Sequence, residues 1–137
     1  MIHAPMRPKS DAPLPDDIRR FVLTCIGSVP QLEALLLLRG EPDSTWTRSS
    51  VARRLYLAES LAGDVLSELC AAGLLECTDG EMPTYRFLSE SPDLRALVGR
   101  LADVYASRLI EITNLIHSTD GRRARRFADA FKWRKDS

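Results

Sequence analysis

The stretch TRSSVARRLYLAESLAGDVLSELCAAGLLE, Thr47–Glu76, contains two helical patterns separated by a short turn. Its first residue, a threonine, is a good N-cap and precedes an eight-residue helix predicted over 48–55. A turn at 56–57 leads to a second helix predicted over 59–72. Gly73 then ends that helix, because glycine adopts the left-handed conformation at little cost. The side chains predicted to face inward are Val51, Ala52, Leu55, Leu61, Val65, Leu66 and Leu69.

A β-hairpin is predicted directly after this pair of helices. The runs LLEC and TYRFL, 74–77 and 84–88, lie on either side of TDGEMP. Both runs are short and apolar, and the Asp79-Gly80 pair between them is a strong signal for a tight turn. The order of elements around the quoted stretch is therefore helix, turn, helix and hairpin.

Further helices are predicted on both sides of this unit. Residues 16–27 carry one apolar face, and Ser28 can cap a second, nearly all-apolar helix that should be central and buried. Residues 44–47 fit a short strand. After the hairpin, Ser91-Pro92-Asp93 is a strong helix start, and the helix that begins there is predicted to continue to about His117.

The charge of the chain is zero overall but unevenly distributed. With 137 residues, 45% of them hydrophobic and 28% charged, the chain fits one compact domain. Residues 121–137 contain seven basic and two acidic side chains, a charge of +5. Residues 1–120 hold the other twelve basic and seventeen acidic side chains, a charge of −5. The body is acidic and the tail is basic.

The cysteines and the longest apolar runs indicate a cytoplasmic protein. Cys25, Cys70 and Cys77 form no C-x-x-C pair and fall among apolar residues, which predicts buried, reduced thiols. The longest apolar run, 34–38, is far shorter than the roughly 20 residues that span a bilayer. The Pro-rich start, 1–15, lacks the apolar core of a signal peptide.

The order of these elements resembles the winged helix-turn-helix proteins among bacterial transcription regulators, of the type that includes the MarR, ArsR and PadR families. The resemblance covers residues 16–118, and its most specific part is the run 47–76 followed by the hairpin. It implies a mainly α fold with a small β-hairpin wing and a long C-terminal helix. The predicted parts are a disordered Pro-rich segment, a winged helix-turn-helix domain, a long dimerisation helix and a basic amphipathic tail, over residues 1–15, 16–90, 91–118 and 119–137.

The resemblance implies a DNA-binding transcriptional regulator whose second helix of the quoted stretch enters the major groove. On this basis Ser60 and Ser67 are the candidates to approach base edges. Four arginines, on the preceding helix and on the returning strand of the hairpin, are the candidates to hold phosphates: Arg48, Arg53, Arg54 and Arg86. For the first three, solvated arginines on an exposed helix face are an equally good interpretation.

The surface predicted to read DNA is nevertheless acidic. Its helix and hairpin tip carry five carboxylates and no basic residue: Glu59, Asp64, Glu68, Asp79 and Glu81. Carboxylates repel phosphates, whereas neutralised phosphates supply most of the non-specific affinity for DNA. The alternative function is therefore a winged-helix protein-interaction module that does not bind DNA and is tethered through its basic tail.

A homodimer is predicted through the long helix. Six apolar positions follow each other at spacings of 4, 3, 4, 3 and 4, the pattern of a helix–helix seam. They are Val98, Ala102, Tyr105, Leu109, Ile112 and Ile116. The alternative is that the body of the same chain covers this stripe.

The tail GRRARRFADAFKWRK, 121–135, fits a basic amphipathic helix. On a helical wheel its alanines and phenylalanines fall on one side and its basic residues on the other. Such a segment suits nucleic-acid phosphates or docking on the acidic body, a plain solvated helix, or peripheral contact with an anionic membrane or a partner protein.

Catalytic and metal-binding patterns are absent from the sequence. The only histidines are His3 and His117, so no nucleophile has a credible general base. No cluster has the spacing of metal ligands, and every glycine is isolated, which excludes a glycine-rich phosphate loop. We predict a protein that is not an enzyme and has no cofactor, and we assign no small-molecule effector.

Overall fold

The computed structural model describes residues 13–88 and 90–118. Helices and a two-stranded sheet follow each other in the predicted order, so the mainly α architecture with a small hairpin is confirmed. The elements are α1 (Asp16–Cys25), α2 (Val29–Gly40), α3 (Arg48–Leu55), α4 (Glu59–Ala71), β1 (Leu75–Cys77), β2 (Tyr85–Phe87), α5 (Pro92–Ser107) and a helical range at 109–118.

Side-chain caps fix the starts of three helices. The Ser28 hydroxyl accepts from the backbone N–H of Gln31 at 3.3 Å at the start of α2. At the start of α5, the Ser91 hydroxyl accepts from the N–H of Leu94 at 3.2 Å. Helix α3 begins with a full capping box between Thr47 and Ser50. The predicted helix starts at these three positions are therefore confirmed.

The hairpin pairs β1 and β2 in antiparallel register, with Glu76 opposite Arg86. The strand predicted at 44–47 is reduced to a single bridge, in which Trp46 and Tyr85 exchange two backbone hydrogen bonds of 2.8 Å. The strand stops there because Thr47, the next residue, already caps α3. This bridge anchors the returning strand to the residues just before α3.

Helix α2 forms the centre of the core, as predicted. Leu32, Ala34, Leu35 and Leu38 are completely buried. The helix packs against α3, α4, α5 and β2. Each buried leucine stabilises the fold by about 1.5 to 3 kcal/mol relative to an exposed one. The position of α4 is therefore set mainly by apolar contacts with α2 and α3.

The first two helices meet at a sharp bend of 113°. No single helix within the described residues has both the length and the apolar content to cross a bilayer. Within the described residues, the required length and apolar content are reached only by α1 and α2 together, which form a bent pair.

The prediction of one continuous helix from Pro92 to about His117 is wrong. Helix α5 ends at Ser107, and Arg108 has a non-helical backbone (φ −134°, ψ 50°). A second helical range then begins at 109, and its Ile112 and Ile116 are completely buried. Burial of two isoleucines contributes about 3 to 6 kcal/mol, which exceeds the cost of one or two interrupted helical hydrogen bonds at about 1 kcal/mol each.

The prediction of three reduced thiols is wrong for two of them. Cys70, at the end of α4, and Cys77, in β1, form a disulfide with a Cα–Cα distance of 6.5 Å. Gly73 adopts the left-handed conformation (φ 80°) and reverses the chain, so β1 returns beside the end of α4. Cys25 is half-buried and takes no part in this disulfide.

Candidate nucleic-acid interface

Helix α4 turns a polar face to solvent. Its buried side chains recur at i, i+3, i+4 and i+7, and they are Ala62, Val65, Leu66 and Leu69. Ser60, Asp64 and Ser67 lie on the opposite, exposed face. The prediction that Leu61 is buried is wrong: it is 40% exposed, because Ala62 occupies the inward position of this stripe.

The turn between α3 and α4 holds the two helices at a fixed angle. Tyr56 adopts a left-handed conformation (φ 58°, ψ 46°) with its side chain 95% exposed. The next backbone N–H, of Leu57, donates to the carbonyl of Ala52 at 2.9 Å. Such a conformation is rare for a bulky residue and persists only where the surroundings impose it.

A cavity of about 470 Å³ lies between the exposed face of α4 and the hairpin. It brings together three of the residues predicted to contact DNA: Arg48, Ser60 and Ser67. Two carboxylates, of Asp64 and Glu81, line the same cavity. The groove between the predicted reading helix and the wing therefore exists, and its lining has mixed charge.

Gly63 lets the Arg48 side chain lie against α4. A Cβ atom at position 63 would be 3.3 Å from Cδ of Arg48 and 3.6 Å from one of its guanidinium nitrogens. The guanidinium of Arg48 is thereby held near the serines of α4, although the residue belongs to α3.

Two of the four predicted phosphate-binding arginines are engaged within the chain. Arg54 donates to the carboxylate of Glu41 at 3.1 Å and lies over the ring of Trp46, 5.3 Å from its centroid. Arg86 pairs with Glu76 on the neighbouring strand at 2.7 Å, and this hydrogen bond raises the pKa of Arg86. Each pair cancels the positive charge that a phosphate would otherwise meet.

The other two arginines are exposed on α3. Within 13–88 and 90–118, Arg48 and Arg53 form no ion pair. The carboxylates of Glu59, Asp64 and Glu81 are likewise exposed and have no ion-pair partner in the described part of the chain. Of these groups, Arg48, Asp64 and Glu81 line the cavity beside α4, whereas Arg53 is not part of its lining.

The six residues predicted for a dimer seam do not share one accessible face. Val98, Ile112 and Ile116 are completely buried within the chain, as core residues. Ala102 and Tyr105 are half-buried, and burial raises the pKa of Tyr105. Leu109 is 51% exposed, beside Ile110 at 72%. The break at Arg108 lies within the seam, between Tyr105 and Leu109.

Gln31 contributes to the site and was missed from the sequence. Its side chain is 2% exposed, accepts from the backbone N–H of Gly27 and donates to the carboxylate of Glu68 at 2.8 Å. It thus links the α1–α2 turn to the last turn of α4. The available signal was a glutamine in the first turn of a helix rich in leucine.

Residues 119–137, predicted to form the basic amphipathic tail, lie outside the described residues, as do residues 1–12 of the predicted Pro-rich segment. Within 13–88 and 90–118 no group of three or more His, Cys, Asp or Glu residues is arranged to hold a metal ion.

The chain is similar to several solved structures. One is reduced HlyU from Vibrio cholerae N16961, 20% identical, with a TM-score of 0.50 over 66% of this chain and 90% of that chain. Another is the heme sensor protein PefR from Streptococcus agalactiae in complex with heme, 13% identical, with a TM-score of 0.50 over 84% of each chain. A MarR family protein from Bacillus stearothermophilus is 18% identical, with a TM-score of 0.46 over 85% of this chain and 84% of that one.

These neighbours are winged-helix transcription regulators and not enzymes. At such low identity the likeness establishes the fold, so the predicted winged helix-turn-helix is confirmed. No protein-family model matches the sequence, and no curated protein matches it.

Proposed function

We propose that this protein is a DNA-binding transcriptional regulator of the winged helix-turn-helix type that acts as a homodimer. The observation that carries the proposal is the groove in which two exposed serines of α4, Ser60 and Ser67, lie beside Arg48 of α3, whose guanidinium group has no ion-pair partner among the described residues. In this fold the second helix enters the major groove while the first crosses the backbone and contacts phosphates. The same proposal places the protein in the bacterial cytoplasm, where chromosomal DNA is found.

The four arginines have unequal roles in this proposal. Arg48 and Arg53 hold phosphates, because no carboxylate in the described residues pairs with them. Arg54 and Arg86 contribute less, since each must first leave its partner, Glu41 or Glu76. The serine hydroxyls of α4 supply weak, adaptable contacts to base edges.

Fluorescence anisotropy with a mixed-sequence duplex tests DNA binding. Binding at low salt should weaken steeply as salt rises, and R48A/R53A should reduce the slope of log affinity against log salt by about two, one per phosphate contact. Arg19→Ala, which removes an exposed arginine from α1, serves as the matched control and should leave the slope unchanged. Undetectable binding at low salt, or a slope indifferent to R48A/R53A, would overturn the proposal.

The dimer of this proposal uses the exposed part of the predicted seam. Leu109 and its neighbour Ile110 expose 51% and 72% of their surface at the start of the helical range 109–118, next to the half-buried Tyr105. L109E/I110E should convert a dimer into a monomer in sedimentation experiments, whereas Asn114→Glu, at an exposed polar position of the same range, should not. A wild-type monomer at tens of micromolar would remove the dimer from the proposal.

A second candidate function is a winged-helix interaction module that binds a basic protein surface instead of DNA. The acidic groove favours it: Asp64 and Glu81 line the cavity beside α4, and Glu59 is exposed at the start of that helix. The same anisotropy titration separates the two functions, because an interaction module shows no salt-dependent affinity for the duplex.

A further inference from the structure

The groove beside α4 is longer than the cavity that holds the two serines. A second cavity of about 220 Å³ adjoins the first, and the two share Arg48, Glu81 and Pro83. The second cavity adds Glu59 and Met82 to the lining. Together they form a continuous groove that runs along the unpartnered outer face of α4 and is closed on its other side by the hairpin.

The lining of this groove suits a segment that is both cationic and apolar. Its carboxylates, from Glu59, Asp64 and Glu81, outnumber its single cation, Arg48. Met82 offers an apolar surface that is 71% exposed, close to Pro83. Carboxylates without an ion-pair partner attract a basic segment, and exposed apolar surface adds a hydrophobic contribution when it is covered.

The chain itself contains a segment with these properties. Residues 121–137 carry a charge of +5 and include Phe127, Phe131 and Trp133. The remainder of the chain carries −5, so the two parts are complementary. These seventeen residues span about 25 Å even as a helix, and considerably more when extended. A domain of about 100 residues has a radius of gyration of about 13 Å, so a segment of this length can extend across its surface.

We propose that residues 121–137 dock in the groove between α4 and the hairpin of the same chain. The basic side chains of the segment pair with the carboxylates of Glu59, Asp64 and Glu81, and its aromatic side chains cover Met82. This docking supplies the positive charge that α4 and the hairpin tip lack. The inference does not rest on the proposed binding to DNA, because the free protein provides both partners.

Zero-length carbodiimide cross-linking of the full chain tests the docking directly. The reagent joins a carboxylate to an amine that touches it, and the chain has only three lysines: Lys9, Lys132 and Lys135. At micromolar protein and low salt, mass spectrometry should find amide bonds from Lys132 or Lys135 to Glu59, Asp64 or Glu81, in a product of monomer mass. These bonds should disappear in about 1 M salt, where the screening length falls to about 3 Å.

Two matched pairs of substitutions control the experiment. D64N/E81Q should lower the yield of cross-links severalfold, whereas D93N/D103N, which removes two exposed carboxylates from α5, should not. K132R/K135R keeps the charge but removes the reactive amines, so its cross-links from the tail should vanish. Circular dichroism confirms that each variant is folded.

Two outcomes overturn the inference. One is a set of cross-links spread over the carboxylates of α1 and α5 and insensitive to D64N/E81Q. The other is a product of dimer mass whose bonds join two chains, which would make a second copy the occupant. DNA is absent from the assay, so either result leaves the proposed function untouched.

Discussion

Two polar side chains, Gln31 and Asp17, connect helices of the fold through single contacts. Among the described residues, Gln31 is the buried polar side chain of the core, and it satisfies the N–H of Gly27 while reaching Glu68 on α4. On the surface, Asp17 of α1 forms an ion pair with Arg100 of α5. Gln31 is buried, whereas Asp17 and Arg100 are exposed to water. Loss of the Gln31 contacts should therefore cost more stability than loss of the ion pair.

Gln31→Ala should lower the free energy of unfolding by about 1 to 3 kcal/mol, because it removes a buried side chain and leaves the partly buried N–H of Gly27 without its acceptor. Urea denaturation measures this loss. Glu68→Ala, which removes only the solvent-exposed partner, should cost less, and Ser49→Ala, at an exposed position of α3, should cost nothing measurable. Equal losses for Q31A and E68A would contradict the conclusion that the hydrogen bond from the N–H of Gly27 to Gln31 stabilises the fold more than the one to Glu68.

The ion pair between Asp17 and Arg100 should make a small contribution to the stability of the fold that depends on pH in the acidic range. The hydrogen bond from Arg100 holds the pKa of Asp17 below its ordinary value of 3.8. Because the folded pKa is the lower one, the contribution of the pair is fully present above the ordinary value and is lost as pH falls through the folded value.

Carbon NMR titration of the Asp17 carboxyl measures this shift. Arg100→Gln should raise the pKa of Asp17 toward its ordinary value, because it removes the largest cause of the shift, whereas Arg95→Gln, on the same helix, should not. A wild-type Asp17 that titrates at its ordinary value would contradict the ion pair.

At the scale of elements, two junctions depart from the simplest interpretation of the sequence. The disulfide joins the end of α4 to β1, and the break at Arg108 divides the long helix. Helix periodicity predicted α4 and α5 correctly, because each buries its own apolar stripe. It did not predict the junctions, because each depends on a side chain from another part of the chain: Cys77 for the first, and the core around Ile112 for the second.

C70S/C77S should destabilise the protein by about 2 kcal/mol, because the bond closes a short loop with a sequence separation of 7. Thermal unfolding with and without dithiothreitol measures the effect, and reductant should reproduce it in the wild type. Cys25→Ser provides the control, since it should keep the response to reductant. A melting curve indifferent to reductant would count against the disulfide.

Ile112→Ala should cost about 2 to 5 kcal/mol, because it leaves a cavity in the core. Leu109→Ala removes a side chain that is 51% exposed and should change the stability of the monomer by only about 0.5 kcal/mol. Chemical denaturation at a concentration where the chain is monomeric compares the two. Similar losses at both positions would favour an unbroken helix with a uniform seam.

At the scale of the whole molecule, the distribution of charge governs which partners can approach α4. Repulsion from Asp64 and Glu81 opposes the attraction of Arg48 in the same cavity. D64N/E81Q should therefore raise the affinity for duplex DNA at low salt, and the gain should shrink as salt screens it. D93N/D103N changes the net charge equally but on α5, so it should have a much smaller effect. Equal gains from both pairs would mean that only net charge matters.

Much of the candidate site could be predicted from local signals. The threonine cap at Thr47 and the left-handed Gly73 act on neighbouring residues and placed α3 and α4 correctly. The hairpin forms as predicted, but residues 78–84 join its strands, so the tight turn predicted at Asp79-Gly80 is wrong. The engagement of Arg54 by Glu41 and Trp46 could not be predicted in this way, because those partners lie 13 and 8 positions earlier in the chain. Whether an arginine can bind a phosphate therefore depends on residues that only the folded chain brings next to it.

The sequence by itself determined the winged helix-turn-helix, because caps, helical periodicity and turn residues act over three to seven positions and agree with each other along residues 16–88. Only the tertiary structure decided which charges remain available on α4 and its neighbours, where the long helix breaks and which cysteines meet. The charge pairs and the break depend on contacts between residues far apart in the chain. Cys70 and Cys77 are only seven positions apart and meet because Gly73 reverses the chain between them. Their free energies come from burial and charge pairing, which exist only once the core around α2 has formed.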